Sequence, residues 1–151
     1  MLVSQKSQYA LRAIFELSKR YGQGVVRIAN IAQAQAIPVR FLEVILNQLK
    51  HCGFVSSQRG NQGGYMLIQR PEELTVAEVL EAIQGPIGAI GCMLETNKAE
   101  EDCPLFGDCV FMSIWEKVSE AISGVLDTTT FGELVEQDQQ RMGMRAANYC
   151  I

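Results

Sequence analysis

The 151-residue sequence is poor in the groups that most enzymes and membrane proteins need. It has a single histidine, His51, with no candidate catalytic partner, and it has no phosphate-binding loop or dinucleotide fingerprint. No apolar run approaches the roughly 18 residues of a membrane-spanning helix, and the N-terminus lacks the apolar centre of a signal peptide. These absences predict a cytoplasmic protein that is not an enzyme and does not cross a membrane.

The cysteines are the most distinctive residues that the sequence does contain. There are five, an odd number that argues against a simple disulfide framework in a compartment where disulfides are rare. Cys92, Cys103 and Cys109 share a polar stretch, with ten residues between the first two and five between the last two. Thiolates in such a stretch usually bind a soft metal or take part in redox chemistry. Cys52 is predicted to be a core residue, and Cys150 is predicted to be incidental.

Charge is divided unevenly along the chain. Residues 1–70 carry nine Lys or Arg and two Glu, a net charge of +7. Residues 71–151 carry four basic and fifteen acidic residues, a net charge of −11. This division indicates that the first half meets a polyanion and that the second half does something else. Charge alone does not identify the polyanion as nucleic acid.

Apolar periodicity predicts three helices in the basic half, over residues 7–21, 27–35 and 39–51. A tight turn at Ala36-Ile37-Pro38 separates the second helix from the third. Polar residues line one face of the third helix: Arg40, Glu43, Asn47 and Lys50. This layout predicts a helix-turn-helix, whose second helix would enter the major groove of DNA.

A hairpin is predicted directly after these helices. Residues 54–57 and 65–68 have the pattern of strands, and the turn between them is rich in glycine. Arg59 lies at the tip of this turn, where a cation suits a narrow, electronegative minor groove. The hairpin therefore predicts the wing of a winged helix-turn-helix.

The acidic half predicts three further helices. A capping box at Thr75-x-x-Glu78 begins a helix that extends to Gln84. After Cys109 a broad apolar stripe predicts a long helix to about Leu126, which would pack either against its copy in a second subunit or within one core. We favour the dimer, because a helix-turn-helix protein needs two half-sites. The predicted interface residues are Phe111, Ile114, Trp115, Val118, Ile122 and Val125.

The predicted fold class is mainly α with a small β-hairpin wing: a winged helix-turn-helix plus a long C-terminal dimerisation helix. Residues 1–84 form the DNA-binding region, and residues 85–109 form a sensor loop, called the cysteine segment below. Residues 110–137 contain the dimerisation helix and a short helix that begins near Thr130, with Glu133 completing a second capping box. Residues 138–151 are predicted to be a flexible tail.

Three motifs carry a resemblance to a known family. They are Leu42-Glu43-x-Ile45-Leu46-x-x-Leu49, Gly53-Phe54-Val55-x-Ser57 and Arg59-Gly60-x-x-Gly63-Gly64-Tyr65. Together they resemble the Rrf-two (Rrf2) family of winged-helix regulators, of the IscR, NsrR and CymR type. The resemblance implies a homodimer that binds a palindromic operator on double-stranded DNA and controls transcription.

The resemblance also implies which residues contact DNA. They are Lys6, Pro38, Val39, Arg40, Phe41, Glu43, Arg59, Gly60 and Gly63. Four further candidates from the same basic half are Arg27, Asn47, Gln62 and Tyr65. Glu43 could accept a hydrogen bond from cytosine N4, or it could cap or pair with Arg40 or Asn47. The resemblance favours base recognition.

Four interpretations of the three clustered cysteines compete: inert thiols, a zinc site, a thiol–disulfide switch and an iron–sulfur cluster. A structural zinc site normally needs four ligands, often in CxxC pairs, and this segment offers three cysteines without such a pair. The resemblance favours a [2Fe–2S] or [4Fe–4S] cluster on Cys92, Cys103 and Cys109. Cluster-binding family members carry three loop cysteines, the last two five residues apart.

The fourth ligand is the open question. Where relatives supply a fourth ligand, this chain has Gln8 or Met112, and neither is an ordinary ligand. The competing functions are a regulator of the same fold that responds to metal-free thiol oxidation or to a small molecule, and a dimeric protein-interaction adaptor.

Overall fold

The structure is a computed structural model that describes residues 3–88, 103–105 and 107–148. It begins with three helices, α1 (Gln5–Lys19), α2 (Ile28–Gln35) and α3 (Val39–His51), followed by strands β1 (Val55–Gln58) and β2 (Gly64–Leu67). Three more helices follow, α4 (Val76–Gln84), α5 (Met112–Leu126) and α6 (Phe131–Asn148). The prediction of a mainly α fold with one hairpin is confirmed. Within the described ranges, no helix is long and apolar enough to cross a membrane.

The core lies where α1 packs against α3. Both helices are amphipathic, and each repeats its apolar residues at helical spacing so that one face is buried. The buried apolar residues of these two helices are Ala10, Ala13, Ile14, Leu17, Leu42, Ile45, Leu46 and Leu49. Ile31 of α2, Val79 of α4 and Phe131 of α6 join the same cluster. The first four helices and the start of α6 therefore share one core.

Hydrogen-bonding side chains set where several helices begin. The hydroxyl of Ser4 accepts a bond from the Ser7 amide, so α1 begins two residues earlier than its apolar pattern predicts. Thr75 and Glu78 form the predicted capping box. Thr130 and Glu133 form a second one at the start of α6, with both bonds at 3.2 Å. Short-range polar spacing was enough to predict both boxes.

The hairpin is fixed to the chain segment that precedes α2. β1 and β2 pair antiparallel from Val55↔Leu67 to Gln58↔Gly64. Val26 then extends the ladder, since its N–H donates to the Tyr65 carbonyl at 2.7 Å and its carbonyl accepts from the Tyr65 N–H at 2.9 Å. A Cβ on Gly64 would lie 2.3 Å from the Val26 carbonyl oxygen, so only glycine permits this approach. The wing is thus a fixed part of the fold.

Two predictions about the remaining chain are wrong. The segment from residue 138 is not a flexible tail over its described part, because α6 continues to Asn148. Residues after Glu136 include Gln, Arg, Met and Ala, which favour helix, and no proline. The Lys19–Asp138 ion pair at 3.0 Å also ties α6 to α1. Cys52 is exposed rather than buried, because it caps the C-terminus of α3 beyond the apolar face.

Gly64→Ala should lower the free energy of unfolding by about 1–3 kcal/mol, because the new methyl group overlaps the Val26 carbonyl. Urea denaturation of the purified protein measures this change. Gly143→Ala in α6 is the matched control, since its Cβ meets no described atom within 4 Å. It should be neutral or slightly stabilising. Equal stability of the two variants would show that the contact between the wing and Val26 is unimportant.

Candidate functional site: a DNA-binding surface and a cysteine segment

The N-terminal half of α3 presents an exposed surface. Pro38 is its N-cap, and the side chains that follow on the outer side, Val39, Arg40, Phe41 and Glu43, are all exposed. Phe41 is 47% exposed although its ring is large and apolar, and the Arg40 guanidinium lies 4.8 Å from its centroid. An α-helix about 10–12 Å wide fits the major groove of B-DNA. Because the opposite face of α3 packs into the core, the side chains at the start of the helix face solvent.

Glu43 and Asn47 also lie on the exposed side of α3. Within the described part of the chain, Glu43 forms no ion pair with Arg40 and no hydrogen bond with Asn47. The alternative in which Glu43 only pairs with its helix neighbours is therefore not what the structure has. Its carboxylate is available to an outside donor.

A buried carboxylate positions α2 ahead of the tight turn. Glu16 is only 3% exposed, and its Oε1 accepts from Arg20 Nε at 2.8 Å. Its Oε2 accepts from Gln35 Nε2 at 2.9 Å, which joins α1 to the last residue of α2. Ala36 follows with a left-handed φ of 51° and begins the turn into α3. The angle between α1 and α2 thus depends on the bond between Glu16 and Gln35.

The predicted contact residues of the wing differ in their exposure to solvent. Arg59 and Gly60 are exposed at the tip, where Gly60 has a φ of +108°. Gln62 is also exposed, but its Oε1 accepts from Arg27 Nη2 at 3.0 Å, so these two candidates contact each other. Tyr65 is half-buried against the core.

The turn between β1 and β2 also contains Asn61 and Gly63. A side-chain hydrogen bond joins this wing to α3. A Cβ on Gly63 would lie 2.4 Å from the Gln58 carbonyl oxygen, so the backbone needs glycine here. Lys50 Nζ donates to Ser57 Oγ at 2.7 Å and links the end of α3 to β1. The wing and α3 are therefore connected by a polar contact as well as by the chain.

Lys6 lies on the same side of the molecule as the start of α3. It is exposed in the first turn of α1. A cleft of about 490 Å³ separates it from Phe41 and Val44, with Gln5, Tyr9 and Ile45 completing the lining. α1 thus contributes a cation beside the exposed start of α3.

The two described cysteines of the cysteine segment flank a turn before α5. The Asp108 N–H donates to the Leu105 carbonyl at 3.0 Å, and Gly107 adopts a φ of +85°. Cys103 and Cys109 are free thiols and are partly exposed. Their sulfurs are the donor type that iron–sulfur clusters use, and partial exposure leaves them accessible to a metal. They therefore fit such a group.

The remaining predicted ligand positions are less informative. Cys92 lies outside the described residues. Within those residues, no three His, Cys, Asp or Glu side chains gather around one point. Gln8 is exposed on α1 and donates through Nε2 to the Val3 carbonyl at 3.2 Å. Met112 is the first residue of α5 and is partly buried.

The apolar residues of α5 are not covered by the described chain, where none of its 15 residues is buried. Val125 is 62% exposed, and Ile114 and Val118 are exposed beside it on one face. Trp115 and Ile122 on that face are half-buried, and Phe111 precedes it, exposed. A shallow groove of about 420 Å³ runs between Val118 and Leu126. The predicted interface residues thus form one apolar stripe, in which Trp115 and Ile122 are half-buried and the other four residues are exposed.

Residues 3–137 match the sequence profile of the family described as Rrf2, an iron-dependent transcriptional regulator. The chain belongs to the Rrf2 family. It is 29% identical over 134 residues to the HTH-type transcriptional regulator CymR of Bacillus subtilis, covering 89% of each chain. It is 31% identical over 152 residues to the regulator IscR of Aliivibrio salmonicida, covering 97% of this chain and 88% of that one.

Solved structures agree with the assignment to the Rrf2 family. The structure of CymR, the global cysteine regulator of B. subtilis, has a TM-score of 0.73 at 28% identity and covers 91% of this chain and 98% of its own. The structure of T. potens IscR also has a TM-score of 0.73 at 28% identity, with 93% and 90% covered. The chain is therefore a winged-helix transcriptional regulator and not an enzyme, as the sequence predicts.

Two polar contacts of this Rrf2 protein were missed by sequence reasoning. The Glu16–Arg20 spacing of four residues was a visible signal of a helical ion pair, but nothing local points to Gln35. The Lys50–Ser57 bond was equally hidden, because it crosses from a helix to a strand. Both contacts depend on how separate elements pack.

Gln35→Ala should lower the free energy of unfolding by about 1–3 kcal/mol, because it leaves Glu16 Oε2 buried without its donor. Gln33→Ala is the matched control, since Gln33 lies on the same helix with an exposed side chain. Urea denaturation of both variants gives the comparison. A Gln35→Ala variant as stable as the Gln33→Ala variant would contradict a role for the bond in holding α2.

Proposed function

We propose that this protein is a homodimeric, sequence-specific regulator whose binding to a palindromic DNA operator is modulated by an iron–sulfur cluster in the cysteine segment. The observations that carry DNA recognition are the exposed start of α3 and the fixed wing, with Arg40 and Arg59 exposed on these separate elements. Residues 1–70 supply the net charge of +7 that attracts a polyanion.

The candidate contacts divide into those that position and those that specify. Lys6 and Arg59 are suited to phosphates or to the minor groove, because each is a cation at the edge of the surface. Arg40 and Glu43 lie near the N-terminus of α3, where side chains of a recognition helix reach base edges. Arg27 and Gln62 support the wing by bonding each other and can contact the backbone from there.

Arg40→Ala and Arg59→Ala should each weaken binding to a promoter fragment by roughly tenfold or more, since a good contact to a base or phosphate contributes about 1–3 kcal/mol. Fluorescence anisotropy with labelled DNA measures this at one fixed salt concentration, because phosphate contacts make affinity depend on salt. Arg70→Ala is the control, since its side chain pairs with Glu72. Losses of equal size in all three variants would argue for nonspecific charge attraction.

Dimerisation is supported by the exposed apolar stripe of α5. Monomeric proteins rarely leave a long row of Val, Ile and Phe open to water, and burying each such side chain contributes about 1.5–3 kcal/mol. A two-fold dimer would bring two copies of α3 to two half-sites of a palindrome. α5 begins three residues after Cys109, so the cysteine segment adjoins the proposed interface.

Val125→Glu should convert the dimer to monomers, because it places a carboxylate in the proposed apolar interface. Light scattering after size-exclusion chromatography measures the molar mass. Ser113→Glu introduces the same group on the same helix, at an exposed position that helical periodicity puts on the opposite face. It should leave the mass unchanged. A Val125→Glu variant that stays dimeric would place the interface elsewhere.

Cys92, Cys103 and Cys109 are the proposed cluster ligands. A bound cluster would supply iron whose oxidation state and ligation respond to oxygen, nitric oxide or the supply of iron–sulfur clusters. Cys103 and Cys109 support this by their accessible thiols and by their turn at the root of α5. Because Gln8 and Met112 replace the usual fourth ligands, an exchangeable outside ligand would complete the site.

Protein purified without oxygen should show absorption bands near about 320–460 nm, the range of sulfur-to-iron charge transfer. Cys103→Ala and Cys109→Ala should remove most of this absorption because each deletes a ligand. Cys52→Ala is the control, since it removes an exposed thiol outside the segment. Bands that persist in both ligand variants would contradict the assignment.

One finding favours a second candidate, regulation by metal-free thiol chemistry. A solved structure of the oxidised form of Staphylococcus aureus CymR has a TM-score of 0.69 at 28% identity, covering 90% of this chain and 97% of its own. The free thiols of Cys103 and Cys109 could respond to oxidants without a metal. A colourless protein whose operator affinity changes on treatment with peroxide would favour this candidate over the cluster.

A further inference from the structure

The start of α1 is fixed by a hydrogen-bond network that reaches the end of α4. Ser7 is fully buried, and its hydroxyl donates to Gln84 Oε1 at 2.8 Å. The hydroxyls of Ser4 and Ser7 lie 2.8 Å apart, and the Ser4 N–H is 3.5 Å from the same Gln84 oxygen. The side-chain oxygen of Gln84 therefore bonds to both serines at the start of α1, although Gln84 lies 77 positions after Ser7.

Gln84 occupies a particular place in the chain. It is the last residue of α4, and Gly85 ends the helix with a φ of +88°. The cysteine segment begins at that glycine. The bonds of Gln84 thus connect the point where the segment leaves the fold to the first turn of α1.

Lys6 lies between the two serines of the network. Its side chain is exposed, whereas the backbone on either side is fixed by the capping bond of Ser4 and the buried hydroxyl of Ser7. Holding the backbone of this turn in one position limits where the Lys6 ammonium can reach. A cation held near its contact point loses less conformational entropy when it binds a phosphate.

The recognition helix is held by the same turn of α4. Gln48 Nε2 donates to the Ala82 carbonyl at 3.2 Å, two residues before Gln84. The last turn of α4 therefore bonds both to the α1 turn that carries Lys6 and to α3. Its position sets the spacing between two elements of the proposed DNA-binding surface.

We propose that Gln84 is a positioning residue for DNA binding: through Ser7 it fixes the first turn of α1 so that Lys6 meets a DNA phosphate. The proposal rests on the proposed function, because it assigns Lys6 a phosphate contact.

The test uses two variants that break the same bond. Ser7→Ala removes the donor, and Gln84→Met removes the acceptor while keeping side-chain length and helix preference. Ser18→Ala is the matched control, because Ser18 is also buried on α1 but donates to the Ile14 carbonyl of its own helix at 2.8 Å. Lys6→Ala provides the reference for a surface without this cation.

The measured quantities are operator affinity across a series of salt concentrations and stability in urea. Ser7→Ala and Gln84→Met should each weaken binding by roughly threefold to tenfold, the effect of one hydrogen bond. They should also flatten the plot of log affinity against log salt towards that of Lys6→Ala, by up to about 0.9 for each phosphate that is no longer neutralised. The double variant should bind far less weakly than additive losses would give, because both substitutions remove the Ser7–Gln84 bond and differ only in which contact of Ser4 they also remove. Ser18→Ala should keep the wild-type slope.

Three outcomes would overturn the proposal. Loss of stability with an unchanged salt slope would make the network only a structural cap. Additive losses in the double variant would show that Ser7 and Gln84 act separately. A wild-type slope in Lys6→Ala would remove the phosphate contact. Failure of the proposed function is distinguishable, because the wild-type protein itself would then not prefer the promoter fragment over scrambled DNA.

Discussion

The apolar contact between α1 and α3 is the constraint on which the rest of the structure depends. Burial of one Leu or Ile contributes about 1.5–3 kcal/mol, and these two helices bury six such side chains against each other and their neighbours. Because α3 uses one face for the core, its opposite face is available for DNA. α4 and the first residue of α6 pack onto the same cluster. The DNA-binding surface is thus a consequence of how the core is built.

Polar contacts fix the relative positions of helices, which apolar packing alone does not determine closely. Apolar burial has no direction, so it holds helices together without setting their rotation or angle closely. The Glu16–Gln35 bond, the Ser7–Gln84 bond and the pairing of Val26 with Tyr65 each join two elements at a defined distance. In a DNA-binding protein this precision matters, because base edges and phosphates lie at fixed spacings. The Ser7–Gln84 and Gln48–Ala82 bonds connect the last turn of α4 to α1 and to α3.

In the C-terminal half, α5 differs from the core helices because its apolar residues are not buried. α5 exposes an apolar stripe that the described part of its own chain does not cover, and it begins directly after the turn that carries Cys103 and Cys109. A second subunit would satisfy the stripe and would also place the cysteine chemistry next to an interface. In such an arrangement, a local change in thiol ligation could alter the separation of two DNA-binding heads. The proposed regulation consists of this coupling between thiol ligation and the separation of the two DNA-binding heads.

The sequence by itself determined the local elements. Apolar periodicity predicted α1 to α3 and α5, polar spacing predicted α4 and both capping boxes, and the glycine-rich turn predicted the wing, because each signal is carried by residues a few positions apart. Prediction failed where the local signal was weak, at the extension of α6 to Asn148 and at the exposed Cys52. The DNA contacts and cluster ligands remain predictions. Only the tertiary structure decided which distant polar groups meet, such as Glu16 with Gln35, Ser7 with Gln84 and Lys19 with Asp138. Such pairs leave no periodic trace, since their contact depends on how whole helices pack.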